Sequence, residues 1–342
     1  MKDFNVLITG CSKHSKGIID CLKNNDDGVV VKVFGVDCDK NNLLREGVDG
    51  CFIAPRINEP NYIDFLIDVC KDNNIEVILP YITAELELLS MNRERFERHG
   101  IKVSVTNPNS IIIANNKIKM HRKFSSLMPN QMIPTNANEV KEYAHQLGYP
   151  RKPLCCKISN GCGGAGFAII DEEKADDIRL FNKTGINRYI RLNDLARIAD
   201  KADIEIIIQE YVDGADYSVC VLADGSTNIH KVGYIGYSMQ YGAVINGEIV
   251  ENKKAYEIAD FVTEELKLEG NACFDFIITK DGDAKLLEVN PRINASLPFV
   301  HAAGINMPYY RCVQLLNGTV PSDCNIQYGL KMQKYYESKY FV

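Results

Sequence analysis

The chain has 342 residues, 46% apolar and 25% charged, as in an ordinary soluble globular protein of two or three packed units. Its formal charge is −6 and it carries no dense Lys/Arg block, which excludes a nucleic-acid surface. No apolar run is long enough to span a bilayer, no signal-peptide pattern precedes the first strand, and none of the twelve cysteines falls in a Cys-x-x-Cys pair. Reduced thiols in a cytoplasmic protein are therefore expected.

The first third alternates strand and helix patterns. Asn5 to Gly10, Val31 to Asp37, Val77 to Pro80 and Lys102 to Val105 read as strands. Gly17 to Leu22, Asp64 to Cys70 and Glu85 to His99 show helical apolar spacing. That alternation predicts an open parallel sheet with crossover helices, a Rossmann-like α/β unit. The loop Gly10 to Gly17 carries neither Gly-x-Gly-x-x-Gly nor a P-loop spacing, so Asp37 at the second strand's end is a weak hint of a dinucleotide site. Glu85 reads as an ordinary helix N-terminal carboxylate.

In the middle, Asn107-Pro108-Asn109 signals entry to a helix that contains Asn116-Lys117. By itself a helical lysine is solvated surface. Leu154 to Ile158 is a strand with Lys157 among apolar neighbours, and such a lysine needs a partner, for which a phosphate is suited. Four glycines follow in six positions, Gly161, Gly163, Gly164 and Gly166, leaving backbone N–H groups open to an anion. Phe167 to Ile170 closes the hairpin. Ile204 to Val212 is a strand that runs into Asp213-Gly214, and Tyr217 to Ala223 is another.

Near the C-terminal end, Cys273 to Ile278 and Lys285 to Arg292 are apolar-rich runs joined by a turn containing Asp281-Gly282, a hairpin signal. Strand periodicity puts Glu288 and Asn290 on one face, with Arg292 one step further, and Asp275 converges on them from the first run. Hard oxygen ligands beside a guanidinium suit Mg²⁺ and the phosphates that accompany it. A helical segment including Met307 to Leu316 and a short tail follow, with no internal repeat.

This order of motifs resembles the ATP-grasp superfamily, whose members carry an acidic residue on one strand and Glu-x-Asn-x-Arg on the next. The likeness is greatest to the branch holding the carbamoyl-phosphate synthase large subunit and similarly built carboxylate–amine ligases, and it covers nearly the whole chain. It implies a Rossmann-like domain over 1–110, then a two-subdomain α+β ATP-grasp fold over 111–325. The flap-bearing subdomain would cover about 125–208, the larger one about 209–325, and a tail 326–342. It implies ATP as substrate with Mg²⁺ (or Mn²⁺) on Asp275, Glu288 and Asn290. Lys117, Lys157 and the glycine flap would meet the phosphates; Ile158 stands where the family often has proline. Backbone groups around Glu210, Tyr211 and Val212 would meet the adenine edge, and Asp216, or less readily Asp213, the ribose. Arg292 and Lys157 would serve the reacting groups, and the run Val77 to Leu89 resembles a segment of that branch in which Glu85 would contact substrate, as an alternative to its plain helix-terminal reading. The expected activity is C–N bond formation between a small-molecule carboxylate and an amine or ammonia through an acyl phosphate, in a homodimer without nucleic-acid or membrane partners. A kinase or carbamate-forming enzyme on the same scaffold, a non-catalytic nucleotide-binding regulator and an oxidoreductase are the alternatives.

Overall fold

Continuous apolar runs near the N-terminus and alternating runs later in the chain divide the computed structural model into three sheets. It describes residues 2–159, 166–176, 189–201, 204–240, 243–317, 319–335, 337–338 and 340. The first part comprises β1 (Phe4–Thr9), α1 (Lys16–Lys23), β2 (Val31–Asp37), β3 (Gly50–Ile53), α2 (Tyr62–Asp72), β4 (Val77–Pro80), α3 (Leu86–Met91), α4 (Arg93–Glu97) and β5 (Lys102–Val103). The strands pair in parallel in the order β3-β2-β1-β4-β5. Strands apolar on both faces need cover on both. Leu66, Leu86, Leu89 and Phe96 bury one face with Leu7 and Ile78. On the other, Ile18 and Leu22 pack with Val6, Ile8 and Val33. Each fully buried aliphatic side chain there stabilises by roughly 1.5–3 kcal/mol.

The expected helix over 85–99 is broken. Asn92 Nδ2 donates to Leu88 O at 2.9 Å, and this local bond competes with helix continuation between α3 and α4. The helix after Asn107 is also two helices, α5 (Pro108–Ala114) and α6 (Lys117–Phe124). Asn116 Oδ1 accepts from the N–H groups of Ile118 (3.0 Å) and Lys119 (2.9 Å), so a fresh helix starts and Lys117 opens it.

The second sheet uses β6 (Gln131–Met132), β7 (Leu154–Ile158), β8 (Ala168–Ile170), β9 (Tyr189–Ile190) and β10 (Ile206–Glu210), in the order β6-β10-β7-β8-β9. Helices α7 (Ala137–Gln146) and α8 (Leu192–Lys201) contribute Val140, Ala144 and Leu195 to its core. The third sheet runs β15-β14-β11-β12-β13-β16, all antiparallel. Its strands are β11 (Gly214–Asp224), β12 (Asn228–Gln240), β13 (Ala243–Ile249), β14 (Glu269–Thr279), β15 (Ala284–Asn290) and β16 (Lys331–Gln333). Period-two alternation along β11 sends Val219 and Val221 to a core with Met120, Phe124 and α9 (Lys253–Leu266). It sends Cys220 and Leu222 to the core shared with the N-terminal sheet. That shared core also holds Phe299 of α10 (Leu297–Ala302) and Met307 and Tyr309 of α11 (Met307–Asn317). At Gly17 a Cβ would lie 2.4 Å from Pro298 Cγ, so α1 and α10 meet where a larger residue does not fit. The eleven described cysteines are free, and no described helix is long and apolar enough to cross a membrane.

Candidate active site between the second and third sheets

Strands β14 and β15 form the anticipated hairpin, with a register shift that sequence periodicity does not reveal. Asp275 pairs with Glu288 and Phe276 with Leu286, so Leu287 is the extra residue of a bulge. The shift sets Asp275 directly opposite Glu288. Asn290 Nδ2 donates to Asp275 Oδ2 at 3.1 Å and to Glu288 Oε1 at 3.3 Å, and Ser218 Oγ donates to Asp275 Oδ1 at 2.7 Å. Lys117 Nζ lies 3.5 Å from Glu288 Oε2. Burial, then the Glu288 charge, pushes the Asp275 carboxyl up to about 7, against the hydrogen bonds from Ser218 and Cys273 and the more distant Arg292 charge. Among the described residues no group of three or more His, Cys, Asp or Glu could hold a metal, so the oxygen set here is two carboxylates and one amide.

Opposite, β7 carries Lys157. Burial lowers its pKa; Cys155 and Glu288 counter that, while Lys117 reinforces it. A cleft of 410 Å³ opens between the sheets, lined by Lys117, Lys157, Glu210, Tyr211, Val212, Asp216, Asp275 and Glu288. Eight of the residues singled out in sequence therefore face one space. Cys155, Phe167, Ile169, Ile277 and Leu287 give it an apolar slot. Cys155 and Lys157 share a face of β7, and Ile169 pairs with Cys155 across the hairpin; strand alternation around Lys157 was the signal for them.

At the hinge, Glu210 N–H donates to Asn130 O at 2.9 Å and Tyr211 N–H to Pro153 O at 3.0 Å. Two of the expected hinge donors are thus committed within the protein. The Glu210 carboxylate accepts from Asn130 Nδ2 at 3.0 Å and lies 3.6 Å from Lys152 Nζ, which fastens β10 to its neighbours. Gly161, Gly163 and Gly164 lie outside the described residues. Gly166 has φ +73, and a Cβ there would sit 2.4 Å from Ile158 Cγ1.

Arg292 does not continue the face of Glu288 and Asn290 into this cleft. Strand β15 ends at Asn290, Pro291 follows, and the guanidinium turns to Thr83 Oγ1 (Nε, 2.9 Å) and Ile293 O (3.0 Å). There it lines a second, adjoining cleft of 180 Å³ with Asn290, Tyr81, Tyr234, Asn294 and His14. Asp275 lines both clefts. No local sequence signal marked His14 or Tyr234, because the long-range packing of three sheets brings them here. Glu85 is fully buried and accepts from Thr9 Oγ1 (2.5 Å), Tyr62 Oη (2.6 Å) and Ile82 N (3.2 Å), so it ties the N-terminal sheet together and touches neither cleft. Asp37 caps a turn by accepting from Asp39 N at 2.8 Å.

Residues 114–296, more than half of the chain, match the ATP-grasp domain family, and residues 6–104 match the PylC-like N-terminal domain. The chain belongs to the ATP-grasp family. It is 26% identical over 231 residues to the carbamoyl phosphate synthase large chain of Xanthomonas axonopodis pv. citri (strain 306), covering 62% of this chain and 20% of that protein. It is 21% identical over 263 residues to the arginine-specific large chain of Bacillus subtilis (strain 168), covering 72% and 23%. The chain thus spans about a fifth of the length of these relatives. Among solved structures, an ADP complex of N5-carboxyaminoimidazole ribonucleotide synthetase superposes with TM-score 0.70 at 16% identity over 96% of this chain and 80% of that one. Biotin carboxylase from Campylobacter jejuni superposes with TM-score 0.66 at 16% identity, over 94% and 73%. Both likenesses are of fold.

Proposed function

We propose that the chain is an ATP- and Mg²⁺-dependent ligase that joins a carboxylate to an amine or ammonia through an acyl phosphate, releasing ADP and phosphate. The observation that carries this reading is the shared wall: Asp275 borders both the larger cleft and the smaller cleft that holds Arg292. A nucleotide in the first cleft and an acceptor in the second would present their reacting groups to one another there.

The larger cleft suits a nucleotide. Cys155, Ile169 and Leu287 offer apolar walls to a planar base, with the hinge backbone at its edge and Asp216 in the lining to meet a ribose. Lys157 and Lys117 would receive the phosphates; a half-buried cation with a depressed pKa is stabilised by such an anion. Asp275, Glu288 and Asn290 fit a hard divalent cation: one or two carboxylates plus phosphate oxygens is how Mg²⁺ is ordinarily held, and Asn290 already bridges both carboxylates. Mg²⁺ bound there would neutralise charge on the β- and γ-phosphates. Arg292 would orient the acceptor carboxylate, whose oxygen attacks the γ-phosphorus as the bond to ADP breaks. The amine nitrogen then attacks the acyl carbon, the C–O bond to phosphate breaks, and the nitrogen loses its proton. Excluding water from the cleft would protect the acyl phosphate.

Fluorescent or coupled ADP detection with pools of carboxylates and amines tests this, followed by phosphorus NMR on any active pair. ADP and phosphate that depend on both acceptors support the ligase. Stoichiometric pyrophosphate would defeat it. ADP without amine dependence, beside a stable phosphorylated product, would move the chain to the kinase alternative on the same site.

A further inference from the structure

The edge strand β16 lies beyond both matched family segments, 6–104 and 114–296. It pairs with β13 through Asn246↔Gln333, Gly247↔Met332 and Glu248↔Lys331. The next residue extends this pairing, since Lys334 N–H donates to Ile245 O at 2.8 Å. That register brings the Lys334 side chain back across the sheet to the backbone of the smaller cleft's wall. Its Nζ donates to Ala295 O at 3.1 Å, and Ala295 is part of the cleft wall. His14, another wall residue, feels the Lys334 charge.

Lys334 is half-buried, and burial depresses its pKa. Its partner is a neutral carbonyl. Arg292, which lines the cleft itself, likewise bonds a hydroxyl and a carbonyl among the described residues. Among the described residues neither cation forms an ion pair. Two partly desolvated cations with neutral partners, one lining a small cavity and one bonded to its wall, are each stabilised by an anionic group. The Arg292 charge acts on Asp275, which in the ligase reading is engaged at the other cleft.

We infer that the smaller cleft takes an acceptor with two anionic groups, one at Arg292 beside Asp275 and a second at Lys334, so that Lys334 selects for the dianion. The assignment rests on the ligase reading only for which anionic group reacts. At 180 Å³ this cleft is less than half the volume of its 410 Å³ neighbour, so a short acceptor suits it. A dicarboxylate and a phosphonocarboxylate share the required chemistry.

The test is calorimetric titration of the full chain, with Mg²⁺ and a non-hydrolysable ATP analogue present, using succinate, 3-phosphonopropionate and butyrate. At least one dianion should bind at least about tenfold more tightly than butyrate, the scale of one charge-assisted hydrogen bond, and the better of the two identifies the second group. Lys334→Met should bring that dianion to the affinity of butyrate, and Lys334→Arg should restore the preference. Equal affinity of dianions and butyrate for the wild type, binding by none of the three, or a preference that survives in Lys334→Met overturns the inference. Should Lys334→Met not fold, the wild-type ratio and the Lys334→Arg variant still decide it. Dianion binding without ADP release from any acid–amine pair would count against the ligase reading and leave this one standing.

Discussion

Glu288→Gln is the sharpest perturbation of the site, because it keeps shape and removes one charge. In the wild type, Glu288 Oε2 lies 3.5 Å from Lys117 Nζ and Oε1 accepts from Asn290 Nδ2 at 3.3 Å. Its side chain is 37% exposed, so the ion pair contributes about 0–1 kcal/mol to stability. The substitution also removes the repulsion that helps push Asp275 up to about 7, which acts in the opposite sense. Net stability should therefore change by less than about 1 kcal/mol, and Tm by less than about 4 °C. The effect on turnover is of another size. Losing one negative ligand weakens the hold on Mg²⁺ where charge develops, on the order of 3–4 kcal/mol, or roughly 10²–10³ in kcat. ADP release at saturating Mg²⁺, measured beside a thermal melt, separates the two. In the same variant the Asp275 carboxyl should titrate lower, read by carboxyl carbon NMR. Near-normal ADP release at saturating Mg²⁺ would refute the assignment of the metal ligands, and a collapse of Tm would recast Glu288 as structural.

Three further outcomes are expected. Lys157→Met should weaken ADP binding about 10- to 100-fold by calorimetry while leaving the melt unchanged or raised, because the variant sheds a desolvated cation near Lys117; unaltered affinity would remove Lys157 from the phosphate site. Gly17→Ala should destabilise by about 1–3 kcal/mol in urea unfolding, since its Cβ would meet Pro298 Cγ at 2.4 Å; an unchanged midpoint would mean that α1 and α10 part easily. Glu85 has its pKa raised by burial, so its contribution is present below the ordinary carboxylate range and is lost as pH rises through the raised folded value. Wild-type stability relative to Glu85→Gln should thus decline as pH rises from 4.5, and a flat difference across urea midpoints at several pH values would contradict that sign.

Local pattern carried much of the fold and part of the site. The β14–β15 hairpin was legible because its runs are apolar-rich and Asp281-Gly282 suits a tight turn, and Lys157 stood out because a charge inside an apolar strand needs an explanation. The parallel N-terminal sheet followed from continuous apolar runs alternating with helical ones. Breaks made by single side chains were less legible. Asn92 and Asn116 each end or start a helix through one amide group, and their hydrogen-bond partners are set by the three-dimensional path of the chain.

By itself, then, the sequence determined which chemical groups the protein could bring to bear: two carboxylates and an amide on a hairpin, a strand lysine before glycines, a hinge strand. Only the tertiary structure decided which of them meet. The bulge at Leu287 sets Asp275 against Glu288, the end of β15 at Asn290 turns Arg292 into a separate cleft, and edge pairing of β16 brings Lys334 to the backbone of that cleft's wall at Ala295. The physical reason is range. Periodicity and turn chemistry act over a few residues, whereas register shifts, edge pairing and cleft walls are settled by hydrogen bonds and packing between segments up to hundreds of residues apart, such as the bond from Arg292 to Thr83.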